Sequence, residues 1–597
     1  MSDWDNNNDQ ATSNEVVDSF DTANLAAAVP EVNGESDVKP KPAKKVYNQA
    51  GSQWIQQVPY NYNEFGDEGH HEWEHNAAVY EFDGEIGDVG PEHPALEAQL
   101  FGDPETRKRQ GVDFDNIAEL EVFQEGPARV DPIASFETAG LHPVMLNNVK
   151  LAGYETPTSI QRYCLPAIKM GYDVVAVAQT GSGKTAAYLI PILNQLMGKA
   201  KKLAASRPNP AAFREGIDQA VRAEPLVVIV CPSRELAVQV FTEARKFCYR
   251  TMLRPCVIYG GGPSSDQRAQ LQKGCDILIA SPGRLIDFMN DTRLLTLRRV
   301  RYMVIDEADE MLHDDWKTDF DTIMSGGEIE EGNVRYMLFS ATFPKQFRDL
   351  AKNHLAETHV RLRVGRAGST HRNIKQVVYE TAPFNKKSAL IDLLESLPPT
   401  RTIIFVNSKR TADELDDFLY NLKFPCTSMH ADRTQKEREA ALRGFRSGLA
   451  PILITTGVTA RGIDVRNVMH VINYDLPSMD YGGIEEYTHR IGRTGRIGHR
   501  GMASSFFTER DEPIASVLTR TLLETGQEVP EFLAGYIPED VSHLRFEADS
   551  DFDETENAAD NFGGDDTANG GDGGADPWGA GDAAPAAQPA AVEDSGW

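Results

Sequence analysis

Ala178-Gln179-Thr180-Gly181-Ser182-Gly183-Lys184-Thr185 concentrates phosphate-directed chemistry in eight residues. Gly181 and Gly183 let backbone N–H groups curl around phosphate oxygens, and Lys184 supplies a point charge to the β- and γ-phosphates. Thr185 can reach a Mg²⁺ ion, and a helix starting here adds its N-terminal dipole. The segment departs from the GxxxxGK[ST] pattern only at its first position, where Ala178 stands for glycine. Asp306-Glu307-Ala308-Asp309 follows an apolar run. An acid at the end of a buried strand is placed to coordinate Mg²⁺, which makes Asp306 and Thr185 the metal candidates. Glu307 beside it could orient or deprotonate an attacking water. A third constellation, His489 to Arg496, holds four basic or imidazole groups and two glycines in eight residues. Such a cationic loop could stabilise charge on a transferring γ-phosphoryl group, worth ~10³–10⁵ in rate. The rival readings are a surface basic turn and a structural arginine.

These residues need elements to hold them. Val174–Ala178, Leu226–Cys231, Cys275–Ala280, Tyr302–Ile305 and Arg335–Phe339 are short apolar runs that read as strands buried on both faces. Helical patterns lie between or after them at Thr185–Met197, Glu235–Cys248, Pro282–Met289 and Lys345–Leu355. The rhythm is βαβ, hence an α/β fold with a parallel sheet and helices on both faces. It breaks at the polar stretch Val364 to Ser369 and resumes. Strands are expected at Thr402–Val406, Thr427–Met429, Ile452–Thr456 and Val468–Asn473. Helices are expected at Lys386–Leu397, Thr411–Leu422, Gln435–Phe445 and Pro513–Leu523. The expectation is two tandem doubly wound domains, 131–366 and 367–545. Lys184 and the arginine-rich loop then sit in different domains, so hydrolysis should require the two to close on the nucleotide.

Charge separates these domains from the rest of the chain. The net formal charge is −30. Residues 1–130 hold 27 acidic and eight basic side chains, residues 546–597 hold 14 acids and no Lys or Arg, and the middle is near neutral at +3. The acidity therefore belongs to the ends, and the middle is free to bind an anion. Both ends lack sustained periodicity and are expected to be disordered acidic tails. Trp54-Ile55, Tyr60 to Phe65 and Trp73 interrupt the first with apolar islands that read either as short binding motifs or as chance. Six cysteines without a CxxC pair argue against a disulfide framework or zinc site. No apolar run approaches the ~20 residues that span a membrane, and no signal peptide is visible. The expected setting is cytoplasmic, with RNP granules and a nuclear pool (from the Lys39–Lys45 basic stretch) left open.

Taken together, the motifs resemble the DEAD-box ATP-dependent RNA helicases over about residues 131–545, with the family's motifs in order. The resemblance implies two RecA-like domains, ATP and Mg²⁺ as cofactors, and RNA as partner, gripped by its backbone with little sequence specificity. Gly153 to Gln161 is similar to the family's Q motif, with its upstream aromatic at Phe136. By this resemblance Gln161 reads the adenine edge, a pairing of matched donors and acceptors, and Phe136 or Tyr154 stacks on the base. On spacing alone, Gln161 reads equally well as a helix N-terminal residue. Pro232-Ser233-Arg234-Glu235-Leu236-Ala237, Gly260-Gly261 and Ser281-Pro282-Gly283-Arg284 resemble motifs that grip RNA. So do Gln435-Lys436-Glu437-Arg438 and Thr456 in the second domain. Ser340-Ala341-Thr342 resembles the motif that couples RNA to hydrolysis. The resemblance makes Arg493 and Arg496 arginine fingers assisted by His489 and Arg490, and gives Asp464 the ribose. Val364 to Thr370, Ala431 to Gln435 and Glu528 to Leu533 look like the Vasa-like branch.

The expected function is local RNA unwinding or RNP remodelling coupled to ATP hydrolysis by a monomer. The alternative is an ATP-dependent RNA clamp or scaffold, with protein partners reading the Trp-containing tails. The C-terminal tail, with Trp578 and Trp597 as anchors, either competes with RNA for the cationic cleft or only solubilises.

Overall fold

The computed structural model describes most of residues 89–538, together with Trp54, Ile55, Gln57 and residues 75–77. Residues 103–121, 312–316, 326–333, 343–350, 365–372, 461–464, 496–500 and 539–597 lie outside the described residues, as do several shorter stretches. The C-terminal tail and the linker following Val364 are therefore among the expectations that fall outside them. No helix of the described residues is long and apolar enough to cross a membrane.

Two α/β domains each carry their own sheet. In the first, eight strands run in the order β1(Val122–Gln124), β8(His359–Val364), β2(Asp173–Val177), β7(Arg335–Ser340), β6(Tyr302–Ile305), β3(Val227–Val230), β5(Ile277–Ala280), β4(Pro255–Ile258). All pairings are parallel except the edge pair β1–β8. The second sheet orders β11(Cys426–Met429), β12(Ile452–Thr456), β10(Arg401–Val406), β13(Val468–Asn473), β14(Gly501–Phe507), β9(Ile374–Glu380), all parallel. Central strands such as Asp173–Val177 and Val227–Val230 are buried along their whole length. Continuous apolar runs are what a sheet covered on both faces demands. Two apolar clusters fill the first domain, one on each side of its sheet.

This topology brings the motifs to one edge. Asp306 and Gly260 follow β6 and β4, Ser340 closes β7, and Lys184, Arg234 and Pro282 open the helices reached from β2, β3 and β5. All leave the carboxyl ends of parallel strands, where open α/β sheets bind ligands.

The boundary at residue 130 needs correction. β1 belongs to the first sheet, and a helix at Pro94–Phe101 packs Leu96 and Phe101 against Tyr249. β1 is three residues long, too short for its periodicity to register. Gln124 secures it by accepting from the Val130 N–H (2.9 Å) and donating to the Val130 carbonyl (3.1 Å). Glu125 then meets Arg361 and Arg363 of β8.

Candidate active site

The phosphate loop joins β2 to the helix Lys184–Met197. Gly181 and Gly183 adopt φ +77° and +88°, a region side chains disfavour. At Gly183 a Cβ would also fall 2.5 Å from Gln161 Nε2, so only glycine fits. The Lys184 ammonium is buried and donates to the Ala178 carbonyl at 2.8 Å. Burial lowers its pKa, against the pull of Asp306, Asp309 and Glu307. Thr180 lies outside the described residues. The Ser182 hydroxyl is buried without a hydrogen-bond partner.

Asp306 directly follows β6, with one oxygen accepting from the Glu307 N–H (3.1 Å) and the other from the Tyr188 hydroxyl (2.8 Å). Burial raises its pKa, opposed by Lys184. Tyr188 is a functional side chain the sequence reading missed. It lies three residues after Thr185, on the same face of the helix, but an aromatic in an apolar helix reads as core. Thr185 and the Asp306 carboxylate supply hard oxygen donors suited to Mg²⁺, which usually takes only one or two protein carboxylates and keeps its waters. No group of three or more His, Cys, Asp or Glu side chains that could hold a metal ion occurs among the described residues.

Glu307 holds φ +51°, an uncommon backbone state for a non-glycine residue. Its Oε2 is buried and has no hydrogen-bond partner. Burial raises its pKa, opposed first by Arg493. That arginine comes from the second domain and is itself buried, its Nε donating to the His489 carbonyl at 3.1 Å. Its charge also acts on Lys184. The phosphate loop, the acid and the arginine thus share one buried site built from both domains.

His489 extends that junction. Its Nδ1 lies 2.9 Å from Glu310 Oε1 and its Nε2 3.8 Å from Asp309 Oδ2. Burial opposes its charge, yet Glu310 and Asp309 outweigh it and hold its pKa at about 9. Asp309 in turn accepts from the Ala341 and Thr342 N–H groups (3.3 and 3.0 Å) and the Thr342 hydroxyl (2.9 Å). Burial pushes its pKa up, but His489, Lys184 and Thr342 bring it below the usual value. Arg490 pairs with Glu486 (2.9 Å) and donates to the Asp475 carbonyl and the Asn407 side-chain oxygen, three partners in its own domain. Arg496 and Asp464 lie outside the described residues.

The carboxamide of Gln161 is engaged at both ends. Its oxygen accepts from the Thr158 N–H (3.0 Å), closing a capping box on the helix Ser159–Lys169, and its nitrogen donates to the Gly183 carbonyl (3.1 Å). It is fully buried and ties the start of this helix to the phosphate loop. Phe136 is 1% exposed and part of the core, its ring edge-on to Tyr154 at 6.4 Å. Tyr154 is half-buried and also rests on Phe247.

Three residues expected to contact RNA join the domains. Arg234 Nη1 donates to Gln435 Oε1 at 3.3 Å, and Arg438 pairs with buried Glu235 at 2.6 Å. Beside them the Tyr259 hydroxyl donates to Glu439 at 3.0 Å. Gly261, at φ +80°, lets Arg234 lie against it, since a Cβ there would fall 3.0 Å from Arg234 Cζ. Arg234, Gln435 and Arg438 thus form a clasp, with Gly260 and Gly261 backing it. Arg284 donates to Gln267 (3.4 Å) and lies over the Phe288 ring, and a Cβ at Gly283 would meet open space. Pro232 is half-buried before the helix Arg234–Phe247, and Pro282 is buried at the start of its helix. The Thr456 hydroxyl bonds that of Thr459 at 3.0 Å.

Two family models match the chain: one described as DEAD/DEAH box helicase over residues 158–350, and one as helicase conserved C-terminal domain over 385–498. Among solved structures, the chain is similar to S. cerevisiae Dbp5 bound to RNA and ADP BeF3, at 28% identity and TM-score 0.55, covering 65% of this chain and 93% of that one. It is also similar to Mss116p bound to ssRNA and AMP-PNP, at 25% identity and TM-score 0.56, covering 70% and 84%. A third, a Dbp5 variant from S. cerevisiae bound to a Gle1 variant and IP6, is 29% identical with TM-score 0.53, covering 67% and 96%.

Proposed function

Because this chain belongs to the DEAD-box helicase family, we propose that it is an RNA-stimulated ATPase that couples ATP hydrolysis to local RNA unwinding or RNP remodelling. One observation carries the reading. Lys184 and Glu307 from the first domain and Arg493 from the second act on one another in a single buried site.

The phosphate loop holds the β- and γ-phosphates, with Lys184 leaving the Ala178 carbonyl for them. Mg²⁺, held by Thr185 and Asp306, would neutralise phosphate charge. Water attacks the γ-phosphorus, the bond to the ADP oxygen breaks, and Glu307 accepts the proton through its unpartnered Oε2. Its raised pKa suits it to that transfer. Arg493 stabilises the charge that develops. ATP and RNA then act on the same equilibrium, domain closure, and RNA is held mainly by phosphate and 2′-OH contacts. Kinship to the Vasa-like branch and a monomeric state complete the proposal. The buried Arg438–Glu235 pair favours a second reading, a long-lived RNA clamp.

The test is ATP turnover by the full chain with single-stranded RNA or matched DNA. RNA should accelerate turnover many-fold and DNA far less. Equal rates with and without RNA would contradict the proposal, and RNA retention far outlasting turnover would favour the clamp.

A further inference from the structure

Among the described residues, the segment before the first domain touches the rest of the molecule at three places in chain order. Trp54, among the apolar islands of the acidic segment, is 4% exposed and sits in the second domain's core cluster with Leu390, Leu394 and Phe424. Its ring meets Phe424 edge-on at 6.1 Å. Its indole N–H donates to the Leu394 carbonyl at 3.4 Å. Leu394 lies in the last turn of the helix Lys386–Ser396, where carbonyls have no intrahelical donor. The site therefore wants a large aromatic with one donor, which is what tryptophan offers.

The second contact lies on the seam. The His75 ring packs edge-on against Tyr259 of the first domain at 6.0 Å, and its Nε2 is 4.0 Å from Glu439 of the second. Asn76 accepts from Gln270 at 2.7 Å, and Ala77 is buried. These residues cover the Tyr259–Glu439 hydrogen bond, which exists only when the domains meet. The third contact is on the first domain alone. Gly90 and Glu92 bond Arg250, and Leu96 and Phe101 pack on Tyr249.

We propose that Trp54, His75–Ala77 and Gly90–Phe101 act together as an intramolecular strap that stabilises the closed arrangement of the two domains, with Trp54 seated on the second domain as its anchor. Contacts confined to one domain at a time would leave the balance of open and closed states unshifted. A ligand or tether shifts an equilibrium only through differential contacts, and the seam contact of His75 and Asn76 supplies them. Anchors on both sides of the seam hold that contact at high effective concentration. The strap thus works beside the Arg234–Gln435 and Arg438–Glu235 clasp, from a part of the chain outside both helicase family matches.

The inference rests on the reading that ATP and RNA act through closure, and its test separates the two. Full-length wild type, Trp54→Ala and Trp54→Phe are compared by hydrogen exchange and by ATP turnover titrated with poly(U) RNA. Trp54→Ala should expose the last turn of Lys386–Ser396 to exchange. It should also raise the RNA concentration for half-maximal turnover by roughly 5-fold, with the rate at saturating RNA unchanged. Trp54→Phe, keeping the ring but not the N–H, should fall between. Unchanged exchange in Trp54→Ala would show that Trp54 is not seated. Faster exchange with an unchanged or lowered RNA requirement would overturn the strap as a closing device. Wild type without RNA-stimulated turnover would refute the helicase reading, while the exchange result would still decide the seating of Trp54.

Discussion

The two domains meet in two places that differ in kind. Around Asp306–Glu310, carboxylates crowd against Lys184, Arg493 and His489, and Oε2 of Glu307 stays buried without a hydrogen-bond partner. At the clasp, Arg438 answers buried Glu235 and Gln435 answers Arg234, charge or donor against acceptor. The first junction keeps a proton acceptor in reserve at a site of raised pKa. The second spends its groups on holding the domains together. On the proposed mechanism the chemistry belongs to the first junction, and the second controls how often that junction forms.

The contrast can be broken one junction at a time. Arg493→Ala should have the largest effect, a fall of ~10³–10⁵ in RNA-stimulated kcat with ATP affinity little changed. A loss seen only in ATP binding would remove it from the reaction. Glu307→Gln should lower kcat by ~10²–10⁴ while keeping nucleotide and RNA binding, because the amide keeps the shape but cannot take the proton. Near wild-type turnover would unseat Glu307 as the base.

At the clasp, Arg438→Ala leaves Glu235 buried without its partner, a situation that costs about 3–5 kcal/mol in comparable buried pairs. It should therefore weaken RNA-dependent closure by tens-fold or more, read as a raised RNA requirement. Glu235→Gln, which removes the stranded charge, should be milder. If both variants match wild type, the clasp is ornamental.

His489 gives a smaller, pH-dependent effect. Its pKa of about 9 in the closed site lies above the ordinary 6.5. Its contribution is thus complete below pH 6.5 and is lost as pH rises through about 9. Closure should weaken on the alkaline side by a few-fold per pH unit near 9, and His489→Gln should flatten that limb. The smallest effect belongs to the acidic tail. Removing residues 546–597 should tighten RNA binding at low salt, with the gain shrinking as the Debye length falls. Equal affinities at low salt leave the tail a spacer.

Much of this was legible in the sequence, for physical reasons. The strands carrying Lys184 and Asp306 are continuous apolar runs, and Tyr302–Ile305, Ile452–Thr456 and Val468–Asn473 have the expected bounds. Edge and amphipathic strands such as Val122–Gln124, His359–Val364 and Ile374–Glu380 were not legible. They alternate or are short, and their partners lie far off in the chain. The phosphate loop could be read because its glycines and lysine are adjacent. Tyr188 was missed because its role depends on Asp306, 118 residues away. The clasp was not legible because Arg234 and Gln435 are equally suited to a phosphate and to each other, and only the fold shows that they meet.

The most direct measurement is a double-mutant cycle on Glu307 and Arg493, read as single-turnover ATP hydrolysis on saturating RNA. If the two act in one site assembled by closure, Glu307→Gln/Arg493→Ala should be scarcely slower than the worse single variant, because each removes a part the other needs. Fully multiplicative losses would mean that the two residues act independently, and that the chemistry does not depend on joining the domains.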